Sequence, residues 1–124
     1  MFRRFVLTVA ALGLVLARPA LAVEIDLPLP ISSQTFGVHT NGNCHGTPGQ
    51  NQLDWHFVLK QSATDDQTLT VTFQSAGTIT VSPDQVKDSY VLHYDIYTNG
   101  DDTLLTASTS GDTGTLDLKD ICGP

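Results

Sequence analysis

The chain has few basic residues, and half of them lie near its N-terminus. Six Lys and Arg residues face thirteen Asp and Glu residues. The first 22 positions hold the three arginines, so residues 23–124 keep only Lys60, Lys87 and Lys119. Such an acidic surface repels the phosphates of nucleic acids and of anionic membranes. We therefore expect no nucleic-acid partner and no membrane insertion of residues 23–124.

The sequence also lacks the residue patterns of common catalytic sites. It has no Gly-x-Ser-x-Gly motif, no glycine-rich phosphate loop and no His-Glu-x-x-His motif. Glu24 is its single glutamate, and its aspartates fall mostly in turn-like segments rather than as a pair held in a cleft. Cys44 precedes His45, but adjacent residues of an extended chain rarely face each other. These absences predict a protein that is not an enzyme.

Only one long apolar run is present, and it lies at the N-terminus. The run Phe5–Leu16 follows Arg3 and Arg4 and precedes Ala20-Leu21-Ala22. A basic start, a short apolar core and small residues at a cleavage point are typical of a secretory signal peptide. The run is too short for an ordinary membrane helix. We expect residues 1–22 to be a signal peptide and residues 23–124 to form a single domain that is secreted.

Cysteine is scarce, with Cys44 and Cys122 as the only two. In an exported chain such a pair predicts a disulfide, here between the start of the domain and its last residues. Closing so long a loop stabilises by about 4 kcal/mol in the chain-entropy model. A metal site built on cysteines would need more of them or a tighter spacing.

Helical periodicity is absent, and period-two alternation takes its place. Leu53 to Lys60 alternates apolar and polar residues around the only Trp of the chain, and Tyr90 to Tyr97 does the same. Further short alternating segments recur at regular spacing with turn residues between them. The pattern predicts an all-β chain, a two-sheet antiparallel β-sandwich of about seven to eight strands. The predicted core is Leu53, Trp55, Phe57, Leu59, Leu69, Val71, Phe73, Tyr90, Leu92, Tyr94 and Ile96.

The segment 23–31 reads as a strand with one apolar face. Pro28 and Pro30 interrupt it, and because proline has no N–H to donate, the strand must lie at an edge or pair on one side only. We favour a first strand that covers its own core. The alternative is strand donation to another copy of the chain, since patterning alone does not separate self from partner.

The order of several motifs supports a family resemblance. Cys44 comes first, then Trp55-His56-Phe57-Val58-Leu59, then Leu104 to Ser108, and finally Leu116 with Asp120-Ile121-Cys122. This order resembles Ig-like or prealbumin-like sandwich modules of secreted bacterial surface proteins. The resemblance covers most of residues 36–122 and implies a structural or adhesive role, with a protein or cell-surface partner.

Two histidines and two aspartates are the candidate metal ligands. His56 and His93 are expected on the solvent-facing side of their strands, beside Asp54 and Asp95. If the two strands are neighbours, these four side chains form a patch suited to zinc or copper. The alternative is a set of ordinary exposed polar residues. Calcium is a further candidate at the acidic turns, which contain Asp65, Asp66, Asn99, Asp101, Asp102 and Asp112.

Two functional hypotheses remain. The first is a secreted, non-catalytic β-sandwich module with a structural, adhesive or surface-interaction role. The second is a small secreted metal- or carbohydrate-binding protein that uses the loop 39–52, which contains His39, His45 and Cys44. His39 and His45 alone predict only a weak site, because oxidation of Cys44 removes it as a ligand.

Overall fold

The computed structural model describes residues 22–40, 44–87 and 90–124. The predicted signal peptide therefore lies, except for its last residue, outside the described residues. The elements in chain order are β1 (Ile31–Ser32), α1 (Ser33–Phe36), β2 (Leu53–Lys60), β3 (Leu69–Phe73), β4 (Gly77–Val81), β5 (Gln85–Lys87), β6 (Val91–Thr98), β7 (Thr103–Thr109) and β8 (Thr115–Cys122). Among the described residues, no helix is long and apolar enough to cross a membrane.

The strands form two four-stranded antiparallel sheets. The first sheet has the order β1-β7-β3-β4, and the second sheet has the order β5-β6-β2-β8. The predicted all-β, two-sheet antiparallel sandwich of about eight strands is confirmed. The predicted hairpin is β3 and β4, whose turn ends at Gly77 with a positive φ of 80°, a conformation that glycine adopts without a steric cost.

Strand β2 is central because it pairs with both β6 and β8. Its inward residues Trp55, Phe57 and Leu59 are fully buried between the sheets. Ten of the eleven predicted core residues are buried, and Tyr90 is the exception, with 47% of its surface exposed. Tyr90 has a positive φ of 63° and precedes the first residue of β6. The predicted strand therefore begins one residue too early, because a residue in this conformation does not continue a strand.

A β-bulge in β8 changes which way its last side chains point. The register shifts so that Leu118 faces Phe57 while Asp120 faces His56, which leaves Lys119 as the extra residue. Without the extra residue, strict alternation would turn Asp120 inward. With it, Asp120 lies on the outer face of the second sheet, the face turned away from the core.

The N-terminal segment packs against its own sandwich. Ile25 is buried, and its N–H donates to the carbonyl of Ala107 in the first sheet, while the N–H of Asp26 donates to the carbonyl of Leu116 in the second. The segment therefore bridges the two sheets at one side. Instead of the predicted continuous strand 23–31, the chain makes isolated bridges here and pairs regularly only at β1.

Candidate metal centre

The outer face of the second sheet brings together all four predicted metal-ligand candidates. Strands β2 and β6 are neighbours, and their register places His56 opposite Asp95 and Asp54 opposite Tyr97. His93 lies one pair further along, opposite Val58. All of these residues point outward, because Trp55 and Phe57 between them point into the core. The condition for the predicted patch, that the strands be adjacent, is therefore met.

This face is not open to solvent where it was expected to be. Asp54 is fully buried and His56 is only 3% exposed. The covering group is the chain after Cys44, in which the N–H of Gly46 donates to Asp54 Oδ2 over 2.8 Å and the N–H of Thr47 donates to the Tyr97 hydroxyl over 3.1 Å. The histidine patch is thus a covered site and not an exposed one.

The predicted disulfide holds this cover in place. Cys122 lies opposite Asp54 in the β2–β8 ladder, and it is bonded to Cys44 with a Cα–Cα distance of 5.4 Å. At Gly46, an added Cβ would collide with the Tyr97 hydroxyl and the Asp54 carboxylate. A residue without a side chain is therefore needed for the loop to lie this close to the sheet.

The cover adds His45, which the sequence analysis placed in a separate, weak loop site with His39 rather than with His56 and His93. The ring of His45 stacks on His56 with centroids 4.0 Å apart, and it lies 5.0 Å from His93. One ligand nitrogen from each of the three rings lies within 4.8 Å of the other two. The sequence signal for His45 was its position next to a disulfide cysteine, since the bond fixes where its neighbour can lie. His39 is not part of this cluster.

Two of the three imidazoles have a carboxylate next to their Nδ1 atom. His45 Nδ1 lies in hydrogen-bond contact with Asp95 Oδ2 at 2.6 Å, and its Nε2 with Gln85 Oε1 at 3.1 Å. His56 Nδ1 lies 3.6 Å from Asp120 Oδ1, which is too long for a hydrogen bond. His56 Nε2 and His93 Nδ1 face each other at 2.9 Å. The bulge at Lys119 is what places Asp120 behind His56.

Several polar atoms of this cluster are buried without a partner. Among the described residues, these atoms are Asp54 Oδ1, Asp95 Oδ1, Asp120 Oδ1 and His56 Nδ1. Buried polar side-chain atoms nearly always have hydrogen-bond partners, so each exception calls for an explanation. A proton shared between the Asp54 and Asp95 carboxyls, which the raised pKa of Asp54 favours, pairs two of these oxygens, and a cation is a second group that could pair with the cluster.

The histidines differ in how readily they hold a proton. Burial, together with the charge of His45, lowers the pKa of His56 to about 4. Burial and the charge of His45 also lower the pKa of His93. Burial lowers the pKa of His45 too, but its hydrogen bonds to Asp95 and Gln85 outweigh that effect and raise the pKa overall. His56 is therefore neutral at pH 7, so its contact with Asp120 is not an ion pair, and the neutral imidazole is the form that binds metals.

The carboxylates of the cluster are also perturbed. Burial and the hydrogen bond to Asp95 raise the pKa of Asp54 to about 7, although the Gly46 N–H opposes this. Burial raises the pKa of Asp84, whose Oδ2 accepts a hydrogen bond from the Asp95 N–H. Three acids are thus crowded near His45, and their mutual repulsion opposes ionisation of all three.

The acidic turns use their carboxylates differently. Asp102 accepts from the backbone N–H groups of Ser75, Ala76 and Thr103. Asp101 accepts from Ser33 and Gln34. These two carboxylates, which were calcium candidates, are acceptors within the protein and fix the turn between β6 and β7 to its neighbours.

The donor set of the histidine cluster fits a transition metal. Imidazole nitrogens with carboxylates behind them suit zinc and copper. Three nitrogens on one tetrahedral zinc stand about 3.3 Å apart. The rings are stacked nearly parallel and the nitrogens spread over up to 4.8 Å, so the rings must rotate before three nitrogens can meet at one ion.

Comparison of the chain with family models, with curated proteins and with solved structures finds no match. The chemistry of this centre is therefore the basis for a functional proposal.

Proposed function

We propose that the chain is an exported protein that binds one divalent transition metal ion, zinc or copper, through His45, His56 and His93. The observation that carries the proposal is the convergence of three imidazoles beside carboxylate oxygens that are buried and unpaired. A bound cation supplies the charge that these oxygens lack. This is the alternative function expected from the sequence, with His45 added to the ligands.

The carboxylates indicate which nitrogens hold the metal. A metal-bound histidine usually donates its other N–H to a carboxylate, which fixes the tautomer and orients the ring. Asp95 lies behind Nδ1 of His45, and Asp120 lies behind Nδ1 of His56. The ligating atoms are then Nε2 of His45, which must leave its contact with Gln85, together with Nε2 of His56 and Nδ1 of His93, which must give up the proton of their mutual hydrogen bond. Asp54 and Asp95 remain nearby to balance charge.

Export is part of the proposal and agrees with the site. The disulfide of Cys44 and Cys122 needs an oxidising compartment, which the predicted signal peptide supplies. Because the disulfide positions His45, the metal site forms only after oxidation.

The other functional hypothesis stays a prediction. A structural or adhesive Ig-like module rested on the segment 23–31, and the described chain uses Ile25 of that segment in its own core. The prediction that the chain is not an enzyme also stays a prediction.

Metal titration tests the proposed function directly. The oxidised chain is titrated with Zn²⁺, and separately with Cu²⁺, against a chromophoric competitor chelator. We expect one equivalent of each metal to bind, with copper the tighter of the two because it stands above zinc in the Irving–Williams order. The variants His45→Ala and His93→Ala should each lower the affinity by about tenfold or more, the size of effect reported even for outer partners of metal ligands.

The chain offers a matched control in its fourth histidine. His39 is exposed and lies outside the cluster, so His39→Ala should leave the affinity unchanged. Equal losses in His39→Ala and His93→Ala, or binding without a defined stoichiometry, would show that the cluster is not a metal site. Far-UV circular dichroism of each variant separates loss of ligand from loss of fold.

A further inference from the structure

A groove lies beside the histidine cluster on the same outer face. It encloses about 430 Å³ and is lined by Val58, Lys60, Val91, His93, Asp117, Leu118 and Lys119. This volume is within the range of small-molecule sites, about 300–1,000 Å³. His93 belongs both to the groove and to the cluster, so the groove adjoins the proposed metal site.

The lining of the groove has an apolar floor and a positive rim. Val58 and Val91 project from neighbouring strands, and Leu118 adjoins the β8 bulge. Lys60 and Lys119 stand at the rim, and they are two of the three lysines in residues 23–124. In so acidic a chain, this concentration of positive charge at one groove is selective for an anion with an apolar body.

Charges of both signs line the outer face. Asp54 lies at one end, His56 is level with Asp95 and Asp120, and Lys60 lies at the other end, while Lys119 lies at the bulge between Asp117 and Asp120. Lys87 pairs opposite Val91 at the edge of the sheet. The acids attract the metal, and the lysines attract a negatively charged molecule toward it.

We propose that the groove binds a small organic carboxylate with an apolar body, and that its carboxylate occupies the fourth coordination position of the metal. This inference rests on the proposed metal-binding function. Three protein ligands with an open position are typical of sites where the metal also binds an exogenous molecule. Two lysines against the single Asp117 leave the lining with one net positive charge, which matches a monoanion better than a phosphate of higher charge.

Benzoate is a suitable probe because it combines an apolar ring with one carboxylate. Zn²⁺ affinity is measured for the oxidised chain alone, with benzoate, and with the uncharged analogue benzamide. Binding linkage requires that a ligand which prefers the metal-loaded protein tightens metal binding by the same factor. We expect benzoate to tighten zinc binding about threefold to tenfold and benzamide to have no effect. For benzoate, this coupling free energy lies in the usual range of about 1–3 kcal/mol or just below it.

Lysine variants identify the groove as the site of the effect. Lys60→Gln combined with Lys119→Gln should abolish the enhancement by benzoate while the chain still binds zinc alone, which also shows that it is folded. Lys87→Gln is the matched control, because Lys87 lies on the edge strand β5 and does not line the groove. It should retain the enhancement.

The outcomes separate this inference from the proposed function. If benzoate does not change the zinc affinity, the proposed groove ligand is wrong, and the proposed metal site is not contradicted. No zinc binding with or without benzoate overturns both. Equal loss of the enhancement in the Lys87→Gln variant would show a general charge effect rather than a groove, and would also overturn the inference.

Discussion

Trp55 is the largest side chain that the fold buries completely. Its ring meets Phe73 edge-on at 4.8 Å between centroids, and its Nε1 donates to Thr98 Oγ1 over 2.9 Å. Replacing it with alanine leaves a cavity between the sheets and removes one of the two hydrogen bonds of the Thr98 hydroxyl, which still donates to the Gly100 carbonyl. We expect Trp55→Ala to lower the free energy of unfolding by about 3–5 kcal/mol, measured by urea denaturation. A loss below about 0.5 kcal/mol, the size of a surface substitution, would contradict this packing.

Asp54 and His56 have opposite effects on the pH dependence of stability. The pKa of His56 is about 4 in the fold and 6.5 when unperturbed, so between these values only the unfolded chain binds this proton, and acidification favours unfolding. The pKa of Asp54 is about 7 in the fold against 3.8 unperturbed, so there the folded chain holds the proton and acidification favours folding. Each contributes a slope of at most about 1.4 kcal/mol per pH unit.

Single variants of this pair should therefore show opposite profiles. In metal-free protein with a chelator present, we expect Asp54→Asn to lose stability relative to wild type as the pH falls from 6.5 toward 4. His56→Gln should gain stability relative to wild type over the same interval. The measurement is urea denaturation at several pH values. If both variants gave profiles parallel to that of the wild-type chain, the two groups would not be buried as described.

The loop that begins at Cys44 is the element that completes the proposed metal centre. It is fixed at Cys122 by the disulfide and at Asp54 by the Gly46 N–H, and it carries His45 between these points. We expect Cys44→Ser combined with Cys122→Ser to lower the free energy of unfolding by about 4 kcal/mol through loss of loop closure. The same variant should bind zinc more weakly, because His45 is no longer held against the sheet.

A second change in this loop separates site geometry from stability. Gly46→Ala places a methyl group against Tyr97 and Asp54, so the loop must lift. We expect the variant to bind zinc more weakly although its disulfide is intact. Zinc titration measures the affinity, and intact mass with and without reduction and alkylation checks the disulfide. Zinc affinity equal to wild type would contradict the close approach of the loop to the sheet.

Strands were predictable from this sequence and the loop was not, for a physical reason. Alternation in β2 and β6 follows from burial of one sheet face, so it located the core and also the outward positions of His56 and His93. The position of His45 depends on contacts that are distant in sequence, with Cys122 and Asp54 as the partners. The bulge at Lys119 breaks the alternation that made the other strands readable, so Asp120 was missed.

At the scale of the whole molecule, the two sheets have different roles. The first sheet and the inward face of the second form the core, and the outer face of the second carries the histidines, the groove and its two lysines. Most of the candidate binding residues therefore lie on one surface, and β2 supports this surface by pairing with both β6 and β8. Core variants should change stability, whereas changes on the outer face should change ligand affinity.

The N-terminal segment decides whether this sandwich is self-contained. Ile25 is buried, while Val23, Leu27, Leu29 and Ile31 are partly buried against the core. We expect residues 23–124 to be a monomer by size-exclusion chromatography with light scattering, and the chain lacking residues 23–31 to be unfolded, because its removal exposes both sheets at one side. The opposite pair of results, an assembling chain and a folded, monomeric truncation, would mean that this segment is an intermolecular strand. The sandwich would then be completed by a second copy, as strand donation requires.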